Sequence, residues 1–478
     1  MSRILFATSE VHPLIKTGGL ADVSASLPAA LKRLGEDVRL LIPGYLPVLD
    51  GLGNKKTVAT FPVFAAQPPV RLLSATMPQT GVPVYVLDAP QYFCRVAGPY
   101  HYHLGGDWPD NPMRFGMLSK VAALLGSAES PVAWQAELVH CNDWQTGLAP
   151  AYLHLLKASA RSLMAIHNIA FQGNFDRDWK KHLEIPATQF HMHGVEFHGY
   201  LSFLKAGLQY ASKIVTVSPT YAREIQSTEM GHGMQGLLTA RRADVSGILN
   251  GIDEEEWNPA TDRYLEAHYD ATTLDDKLKN KLALQRRLGL QVEAQAPLLG
   301  VVSRLTHQKG LDLLLEGMPA LIESGAQLAV LGSGDAEFER RYVQLAQRYP
   351  GRVAVTIGFD EGLSHQMMAG VDIFLMPSRF EPCGLNQMYG MRYGTPPLVR
   401  RTGGLADSVI NASLDNGTGF VFDDPGAQAL QQTIKWAIEC YRDRSTFRRI
   451  QLNGMRHDVG WRHSAEQYRE LYNRILRK

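Results

Sequence analysis

The chain has 478 residues, more than one ordinary core accommodates, so we predict two domains of roughly 200 residues or more each. Apolar residues make up 45% of the sequence, which is enough for a large core, and 48 basic residues balance 47 acidic ones. A near-neutral chain lacks the broad basic surface that follows a phosphate backbone, which argues against a nucleic-acid partner.

The cysteines and the N-terminus bear on the cellular compartment. Cys94, Cys141, Cys383 and Cys440 are far apart and form neither a Cys-x-x-Cys pair nor zinc-finger spacing. Residues 1–9 predict a strand and no secretory leader, and no apolar run approaches the length of a membrane span. We therefore expect a cytoplasmic protein with no membrane partner.

The first half of the chain alternates predicted strands and helices. Residues 3–9 predict a strand, residues 20–34 a helix that ends at Gly35, and residues 37–43 a second strand, which together make a βαβ unit. Further predicted strands lie at residues 84–87, 138–141, 163–166 and 214–217. Ligands of such parallel sheets bind at the carboxyl ends of the strands, where this sequence places Asn142, Asp143, Trp144, His167 and the helix-capping Ser218.

A stretch with little periodicity interrupts this half at residues 90–111. Its aromatic side chains can stack on sugar rings, although packing remains the alternative for any one of them; they are Tyr92, Tyr100, Tyr102 and Trp108.

The middle of the chain is polar, and a second series of alternating predicted strands and helices follows it. Residues 247–253 predict a strand, and the polar stretch at 254–280 indicates a crossing between domains. Strands are predicted at residues 298–303, 327–331, 353–357, 373–377, 397–399 and 419–422, with helices at 312–324 and 336–348. Two helices at 427–441 and 464–476 end the chain, so the predicted fold class is α/β with two doubly wound sheets.

Six residues, Thr-Gly-Gly-Leu-Ala-Asp, occur twice, at 17–22 and 402–407, each time between a predicted strand and a predicted helix. Lys16 precedes the first copy and Arg401 the second. Paired glycines in such a turn leave backbone N–H groups uncovered at the positive end of a helix dipole. We therefore predict two similar halves that hold one anionic ligand, such as a diphosphate; two ordinary glycine turns are the alternative.

Charged residues in the second half fit the same ligand. Arg304 and Lys309 lie five residues apart on a turn before a helix, where they could neutralise a leaving diphosphate. Glu381 follows a buried strand, with Pro382 predicted to start the next helix. The alternatives are two solvated cations and a carboxylate that merely complements a helix dipole.

Rival motifs are weaker. Gly332 and Gly334 follow a strand, but Glu337 takes the place of the third glycine of a dinucleotide site. Asp176 and Asp178 have metal-nucleotide spacing in a polar loop, and three histidines lack a ligand pattern: His191, His193 and His198. We expect no obligatory metal and no cofactor.

Several motifs together resemble the bacterial glycogen synthase and plant starch synthase family, nearly from end to end. They are Lys16-Thr-Gly-Gly-Leu, His167-Asn-Ile-Ala-Phe-Gln-Gly, Asn250-Gly-Ile-Asp, Ser303-Arg-Leu-Thr with Lys309-Gly310, Ser378-Arg-Phe-Glu-Pro-Cys-Gly-Leu and Arg401-Thr-Gly-Gly-Leu-Ala-Asp. The resemblance implies the GT-B fold, in which two Rossmann-like domains face a central cleft. It places the acceptor-side domain at 1–245, the donor-side domain at 246–457 and a helix that crosses back at 458–478.

The same resemblance implies a reaction: transfer of glucose from ADP-glucose to the non-reducing end of an α-1,4-glucan, with retention of configuration and without metal. It assigns catalytic positions to Glu381, Arg304, Lys309, His167 and Asp143. In the family the His167 carbonyl lies beside the anomeric carbon, and Glu381 holds glucose hydroxyls. Donor contacts are implied for Lys16, Gly18, Gly19, Asp22, Asn250, Phe359, Cys383, Gly384, Gly403 and Gly404, and acceptor contacts for Tyr100 and Trp144.

Three positions depart from the family pattern. Asn386 stands where the family has threonine, Asn142 replaces a usual histidine, and His307 replaces a frequent tryptophan. None of these changes removes a charge that the mechanism needs. The alternatives that stay open are a related enzyme that uses UDP-glucose, a catalytically silent glucan-binding protein, and a pyridoxal-phosphate phosphorylase of the same fold.

Overall fold

The computed structural model describes residues 1–102, 106–323 and 325–477. It divides into two compact units, one formed by Met1–Asn250 together with Trp461–Lys478 and the other by Gly251–Gly460. The sequence predicted boundaries after residues 245 and 457, and the division in the structure falls after residues 250 and 460.

The first unit is built on a nine-stranded sheet with the order β12-β11-β7-β6-β1-β2-β5-β4-β3, and a three-stranded sheet, β8-β10-β9, accompanies it. The strands are β1 Arg3–Ala7, β2 Asp37–Pro43, β3 Lys56–Phe61, β4 Val70–Thr76, β5 Pro83–Asp88, β6 Leu138–Asn142, β7 Arg161–Ile166, β8 Asn174–Phe175, β9 Glu196–Phe197, β10 Tyr200–Ser202, β11 Lys213–Thr216 and β12 Val245–Gly247. The large sheet is parallel except where β4 pairs with β3 and with β5.

Two parts of this sheet differ from the sequence prediction. The antiparallel strands β3 and β4 were not predicted, because β3 is exposed along most of its length and lacks an apolar run. The predicted strand at 247–253 is wrong, because β12 already ends at Gly247. Ile252 instead forms an isolated bridge with Gly460, a partner too distant in the chain for a local pattern to reveal.

Helices cover the sheet of the first unit. They are α1 Gly19–Arg33, α2 Leu46–Gly51, α3 Pro90–Phe93, α4 Asn111–Leu125, α5 Ala149–Leu155, α6 Trp179–His182, α7 Phe203–Tyr210, α8 Pro219–Glu224 and α9 Gln235–Ala240. α4 is buried over nearly its whole length and forms part of the core. The predicted cap of α8 is confirmed, because the Ser218 hydroxyl accepts a hydrogen bond from the Tyr221 N–H.

The second unit has a six-stranded parallel sheet with the order β15-β14-β13-β16-β17-β18. Its strands are β13 Leu298–Val302, β14 Gln327–Gly332, β15 Val353–Ile357, β16 Ile373–Met376, β17 Pro397–Arg400 and β18 Phe420–Phe422. Its helices are α10 Lys277–Arg287, α11 Leu311–Glu323, α12 Ala336–Arg348, α13 Glu361–Gly370, α14 Asn386–Arg392, α15 Gly403–Ser408, α16 Ala427–Arg442 and α17 Arg444–Arg456. One apolar cluster joins the inner faces of these strands to α11, α12, α16 and α17.

Two helix starts in this unit depart from the prediction. α17 was not predicted, although Asp443 caps it by accepting hydrogen bonds from the Ser445 and Thr446 N–H groups. Pro382 does not start a helix, because residues 381–385 form a loop and α14 begins at Asn386.

The last helix, α18 Trp461–Leu476, belongs to the first unit. Its Tyr472 hydroxyl lies 2.7 Å from Nδ1 of the buried His140 on β6, and Tyr468 stacks on the same imidazole at 5.6 Å. Burial lowers the pKa of His140 to about 3, so this ring is neutral at physiological pH. Among the residues described, no helix combines the length and the apolar character needed to cross a membrane.

Candidate functional site

Each large sheet has one point where the strand order reverses, and open α/β sheets bind ligands beyond the strand ends at such points. In the first unit β1 lies between β2 and β6, so the loops that follow β1 and β6 flank the reversal. In the second unit β13 lies between β14 and β16, and the loops after β13 and β16 flank it. Most of the predicted site residues lie on these four loops.

The loop after β1 is organised by Glu10, a residue that the sequence analysis missed. The Glu10 side chain is buried, and its Oε2 accepts hydrogen bonds from the N–H groups of Thr17 at 2.5 Å and Gly18 at 3.2 Å. Its Oε1 accepts one from the Thr17 hydroxyl at 2.5 Å. The expectation of uncovered glycine amides is therefore wrong for Gly18, because a carboxylate of the chain itself accepts its N–H, as it does that of Thr17.

Lys16 lies on this loop and Asp22 in the first turn of α1, and the two side chains contact each other. The Lys16 Nζ is 2.8 Å from Asp22 Oδ1, and the two side chains are 29% and 23% exposed. Two of the predicted donor contacts thus form an ion pair that solvent reaches.

The end of β6 holds a carboxylate in an unusual backbone conformation. Asp143 has a φ of 53° and a ψ of −174°, a combination that costs energy for any residue but glycine. Its Oδ1 accepts hydrogen bonds from the N–H groups of His167 at 2.7 Å and Asn168 at 3.4 Å. The structure therefore brings the predicted Asp143 and His167 together.

Burial sets the protonation of this pair. Desolvation raises the pKa of Asp143 to about 7, although the two backbone hydrogen bonds oppose the rise. Desolvation also lowers the pKa of His167 to about 4, so its imidazole is neutral at pH 7. The His167 Nε2 lies 2.9 Å from Asn142 Oδ1, and the Asn142 amide donates to the Ala7 carbonyl of β1. Asn142 therefore ties the two strands that flank the reversal.

The two predicted acceptor residues lie in different surroundings. The Tyr100 hydroxyl donates to Glu10 Oε1 at 2.5 Å and lies 2.7 Å from the Ser9 hydroxyl, at the end of β1. Trp144 instead belongs to an aromatic cluster, with ring centroids 5.0, 5.6 and 6.2 Å from those of Phe115, Phe175 and Phe203. Packing accounts for the position of the Trp144 ring.

In the second unit the predicted Lys309 and Glu381 form an ion pair. The Lys309 Nζ is 2.5 Å from Glu381 Oε2, and the side chains are 17% and 8% exposed. The Ser378 hydroxyl donates to the same oxygen at 3.0 Å. A cation from the loop after β13 and a carboxylate from the loop after β16 therefore meet at the point of strand reversal.

Arg304 is the exposed cation of this group. It follows β13, and its guanidinium makes no hydrogen bond or ion pair with any residue that the structure describes. Arg379, by contrast, makes a bidentate ion pair with Asp312, with both contacts at 2.7 Å. Of these two arginines, Arg304 is the one whose charge is available to a ligand.

The two copies of the repeated hexapeptide have opposite surroundings. In the first copy Gly18 is exposed, and a Cβ added there would meet no atom within 4 Å. In the second copy Gly403 has a φ of 43°, and a Cβ there would lie 1.9 Å from the Glu381 carbonyl oxygen. A Cβ on Gly404 would lie 2.1 Å from the Cys383 carbonyl oxygen. The second copy therefore supports the Glu381 loop by close backbone packing.

The amides of the second copy also differ from the expectation. The Gly404 N–H donates to the carbonyl oxygens of Glu381 and Pro382, both at 3.1 Å, so it is not uncovered. Arg401, before the second copy, pairs with Asp423 at 2.6 Å, whereas Lys16, before the first copy, pairs with Asp22, the last residue of that copy.

The remaining predicted positions are placed individually. Cys383 is buried, Gly384 has a φ of 72° that favours glycine, and Phe359 is 74% exposed. The Asn386 amide donates to the Val302 carbonyl at 2.7 Å and so ties the start of α14 to the end of β13. The Asn250 side chain is buried, and its Oδ1 lacks a hydrogen-bond donor among the described residues.

One group of potential metal ligands is visible in the described part of the chain. Side-chain atoms of Glu256, Glu361 and His365 lie within 4.8 Å of one another, a cluster that local spacing could not reveal. The imidazole of His365 lies between two carboxylates, with Nδ1 2.7 Å from Asp262 and Nε2 3.7 Å from Glu361. Burial opposes protonation, but the hydrogen bond to Asp262 and the nearby charge of Glu361 outweigh it and raise the pKa of His365.

Comparison with protein families gives two matches. A family described as starch synthase catalytic domain matches residues 3–240, and one described as glycosyl transferases group 1 matches residues 289–451. The matched segments fall in the first and second units respectively.

Individual proteins are similar over the full chain. A glycogen synthase of Nitrosospira multiformis is 51% identical over 99% of this chain and 97% of its own length. A glycogen synthase of Dechloromonas aromatica is 53% identical over 98% of this chain and 97% of its own length. The catalytic domain of starch synthase IV from Arabidopsis thaliana, solved with ADP and acarbose bound, has a TM-score of 0.89 and 32% identity, with full coverage of both chains.

Proposed function

Because the chain belongs to the glycogen and starch synthase family of glucosyltransferases, we propose that it transfers glucose from ADP-glucose to the non-reducing end of an α-1,4-glucan. The predicted GT-B fold is confirmed by the full-length structural match. The geometric observation that carries the proposal is the Lys309–Glu381 pair, with Arg304 on the same loop as Lys309, at the strand reversal of the second unit.

We propose that Arg304 and Lys309 bind the donor diphosphate. The exposed Arg304 has no competing partner among the described residues, and the Lys309 ammonium is held in place by Glu381. Fixed cations that face the developing charge of a leaving group stabilise the transition state more than the ground state. The enzyme accordingly needs neither a metal nor a cofactor.

Glu381 then holds the hydroxyls of the transferred glucose, in a loop that Cys383, Gly384, Gly403 and Gly404 shape. The close packing of both glycines against the backbone of residues 381–383 supports this assignment, because it fixes the carboxylate. In the first unit, Asp143 contacts the sugar, and the His167 carbonyl lies beside the anomeric carbon. The strained backbone of Asp143 is a feature typical of functional sites.

The remaining contacts complete the proposal. Lys16, Gly18, Gly19, Asp22, Asn250 and Phe359 contact the donor, and Tyr100 and Trp144 contact the glucan. The location of Tyr100 beside the β1 loop supports its role, whereas the packed surroundings of Trp144 favour a supporting one. We place the enzyme in the cytoplasm.

The reaction retains the anomeric configuration. The 4-hydroxyl of the acceptor attacks the anomeric carbon on the face from which the diphosphate departs. The bond between that carbon and the diphosphate oxygen breaks as the new glycosidic bond forms, and the hydroxyl proton moves to the departing oxygen. ADP and a glucan longer by one glucose are the products.

A donor panel on the purified protein tests the proposal. ADP-glucose should give faster elongation of a short α-1,4-glucan than UDP-glucose, and a chelator should leave the rate unchanged. Proton NMR of the product should show only α-linkages. Faster transfer from UDP-glucose, or loss of activity with chelator and its return with Mg²⁺, would contradict the donor or the metal-free assignment. Glucan binding without transfer from either donor would indicate a silent binding protein.

A further inference from the structure

Glu10 is a buried carboxylate that joins two loops of the first unit. It is 3% exposed and accepts hydrogen bonds from three groups of Thr17 and Gly18, on the loop before α1, and from the hydroxyl of Tyr100, on the segment that follows α3. The first loop carries proposed donor contacts, and the second carries Tyr100, a proposed acceptor contact.

The chemistry of these contacts is that of an anion site. Two backbone N–H groups and two hydroxyl groups surround the carboxylate, and no lysine or arginine pairs with it among the described residues. Such donors hold phosphates in other proteins. Here the chain fills the site with its own anion, which fixes the conformation of Thr17 and Gly18.

The Oε1 atom connects the loops directly. It accepts from the Thr17 hydroxyl at 2.5 Å and from the Tyr100 hydroxyl at 2.5 Å. A displacement of Tyr100 therefore changes the hydrogen bonding of the oxygen that holds Thr17. A buried carboxylate that loses one of its donors is destabilised, so the two loops favour matching conformations.

We propose that Glu10 is a positioning residue that couples glucan binding at Tyr100 to the conformation of the 16–19 loop, and hence to nucleotide binding. This inference rests on the proposed function. A glucan that orders Tyr100 orders the Glu10 carboxylate, which in turn orders the amides beside Lys16. Because thermodynamic coupling is reciprocal, ADP strengthens glucan binding by the same factor.

Titration calorimetry on the full chain tests the coupling, with ADP and maltoheptaose as probes. In the parent protein, saturating maltoheptaose should tighten ADP binding about fivefold or more. Glu10→Gln places an NH₂ donor where an acceptor is needed, so the factor should fall to about one. The same variant should raise the KM of both substrates and lower kcat.

Three further variants separate positioning from folding. Tyr100→Phe keeps the ring but removes the hydroxyl, and Thr17→Val removes the other contact to Oε1; both should abolish coupling while ADP binding persists. Glu36→Gln alters a carboxylate that accepts a hydrogen bond from the Ser2 N–H and contacts neither Thr17 nor Tyr100, so it should leave the coupling intact. These variants give a result even if Glu10→Gln does not fold.

Two outcomes would overturn the inference. ADP and maltoheptaose could bind the parent protein independently of each other, or coupling could persist undiminished in Tyr100→Phe and Thr17→Val. Failure of the proposed function would look different. In that case the parent protein would transfer no glucose, or it would bind neither ADP nor maltoheptaose.

Discussion

Burial sets the chemistry of Asp143 more than any charged neighbour does. Its pKa of about 7 comes first from desolvation, and the N–H donors of His167 and Asn168 only limit the rise. The fold therefore binds the Asp143 proton more tightly than the unfolded chain, whose aspartates titrate near pH 4. Such a group contributes stability that is complete below the unfolded pKa and is lost as the pH rises through the folded pKa.

Asp143→Asn should accordingly become more stable than the parent protein as the pH rises. Because asparagine does not titrate and keeps the oxygen that accepts from His167, the gain from pH 5 to pH 8 should be on the order of 2 kcal/mol. Urea unfolding at both pH values measures it. Glucose transfer should fall sharply, and the exposed Asp415→Asn should change neither property. A constant stability difference across this pH range would contradict the raised pKa.

Arg304 is a second residue whose substitution should affect catalysis but not the stability of the fold. Since its exposed guanidinium makes no hydrogen bond or ion pair with a described residue, Arg304→Ala should leave the melting temperature unchanged while kcat falls by about 100-fold or more. Steady-state kinetics and thermal unfolding are the two measurements. Arg348→Ala, at the exposed end of α12, is the matched control. Near-normal turnover of Arg304→Ala would remove Arg304 from the diphosphate site.

At the scale of elements, identical sequence does not produce identical packing. The loop before α1 is open around Gly18 and is held by the Glu10 side chain, whereas the loop before α15 packs against the backbone of residues 381–383. The difference arises from the neighbouring strand. β16 brings the Glu381 loop against the second copy, and the first copy has no such close backbone neighbour at Gly18.

Alanine substitutions should distinguish the two copies. Gly18 has an extended φ of −160° and free space, so Gly18→Ala should change the free energy of unfolding by less than about 0.5 kcal/mol. At the equivalent position, Gly403→Ala forces a methyl group against the Glu381 carbonyl and should cost about 2 kcal/mol or more, or prevent folding. Denaturant titration compares them. Equal losses in both variants would mean that the copies pack alike.

The sequence predicted most strands because their buried residues form apolar runs, and it predicted α12 because its two buried residues, Tyr342 and Leu345, have helical spacing. β2, β15 and α12 have the predicted bounds, and most other strands differ by one or two residues. It did not predict β3, whose residues are largely exposed, or α17, which only the capping residue Asp443 separates from α16. It also missed Glu10 and the His365 cluster, because their partners converge only in three dimensions.

On the scale of the whole molecule, the chain leaves the first unit at Asn250 and returns to it at Trp461. α18 is therefore part of the core of the first unit, and Tyr472 satisfies the buried Nδ1 of His140, two residues before Asn142. α18 thus supports β6, the strand that Asp143 directly follows.

Tyr472→Phe should weaken the first unit and leave the second unchanged. The Tyr472 hydroxyl is the only hydrogen-bond partner of His140 Nδ1 among the described residues. Its removal leaves a buried polar atom unsatisfied, which should lower the free energy of unfolding by about 1–3 kcal/mol. Hydrogen exchange followed by mass spectrometry should show reduced protection in β6 and β7 but not in β13 or β14. Tyr200→Phe, at an exposed tyrosine of the first unit, is the control. Reduced protection in both units would contradict a local role.

Because the chain returns, the second unit is an insertion in the sequence of the first. Within each unit, a hydrogen bond joins the segments next to the two crossing points. Within the second unit, the Ile252 N–H donates to the Val459 carbonyl at 2.9 Å; within the first, the Ser464 hydroxyl donates to the Leu249 carbonyl at 2.5 Å. The entry and exit of the inserted segment are thus already side by side. Residues 251–460 expressed alone should therefore fold independently. The first unit should also fold when residue 250 is joined directly to residue 461, without a long linker.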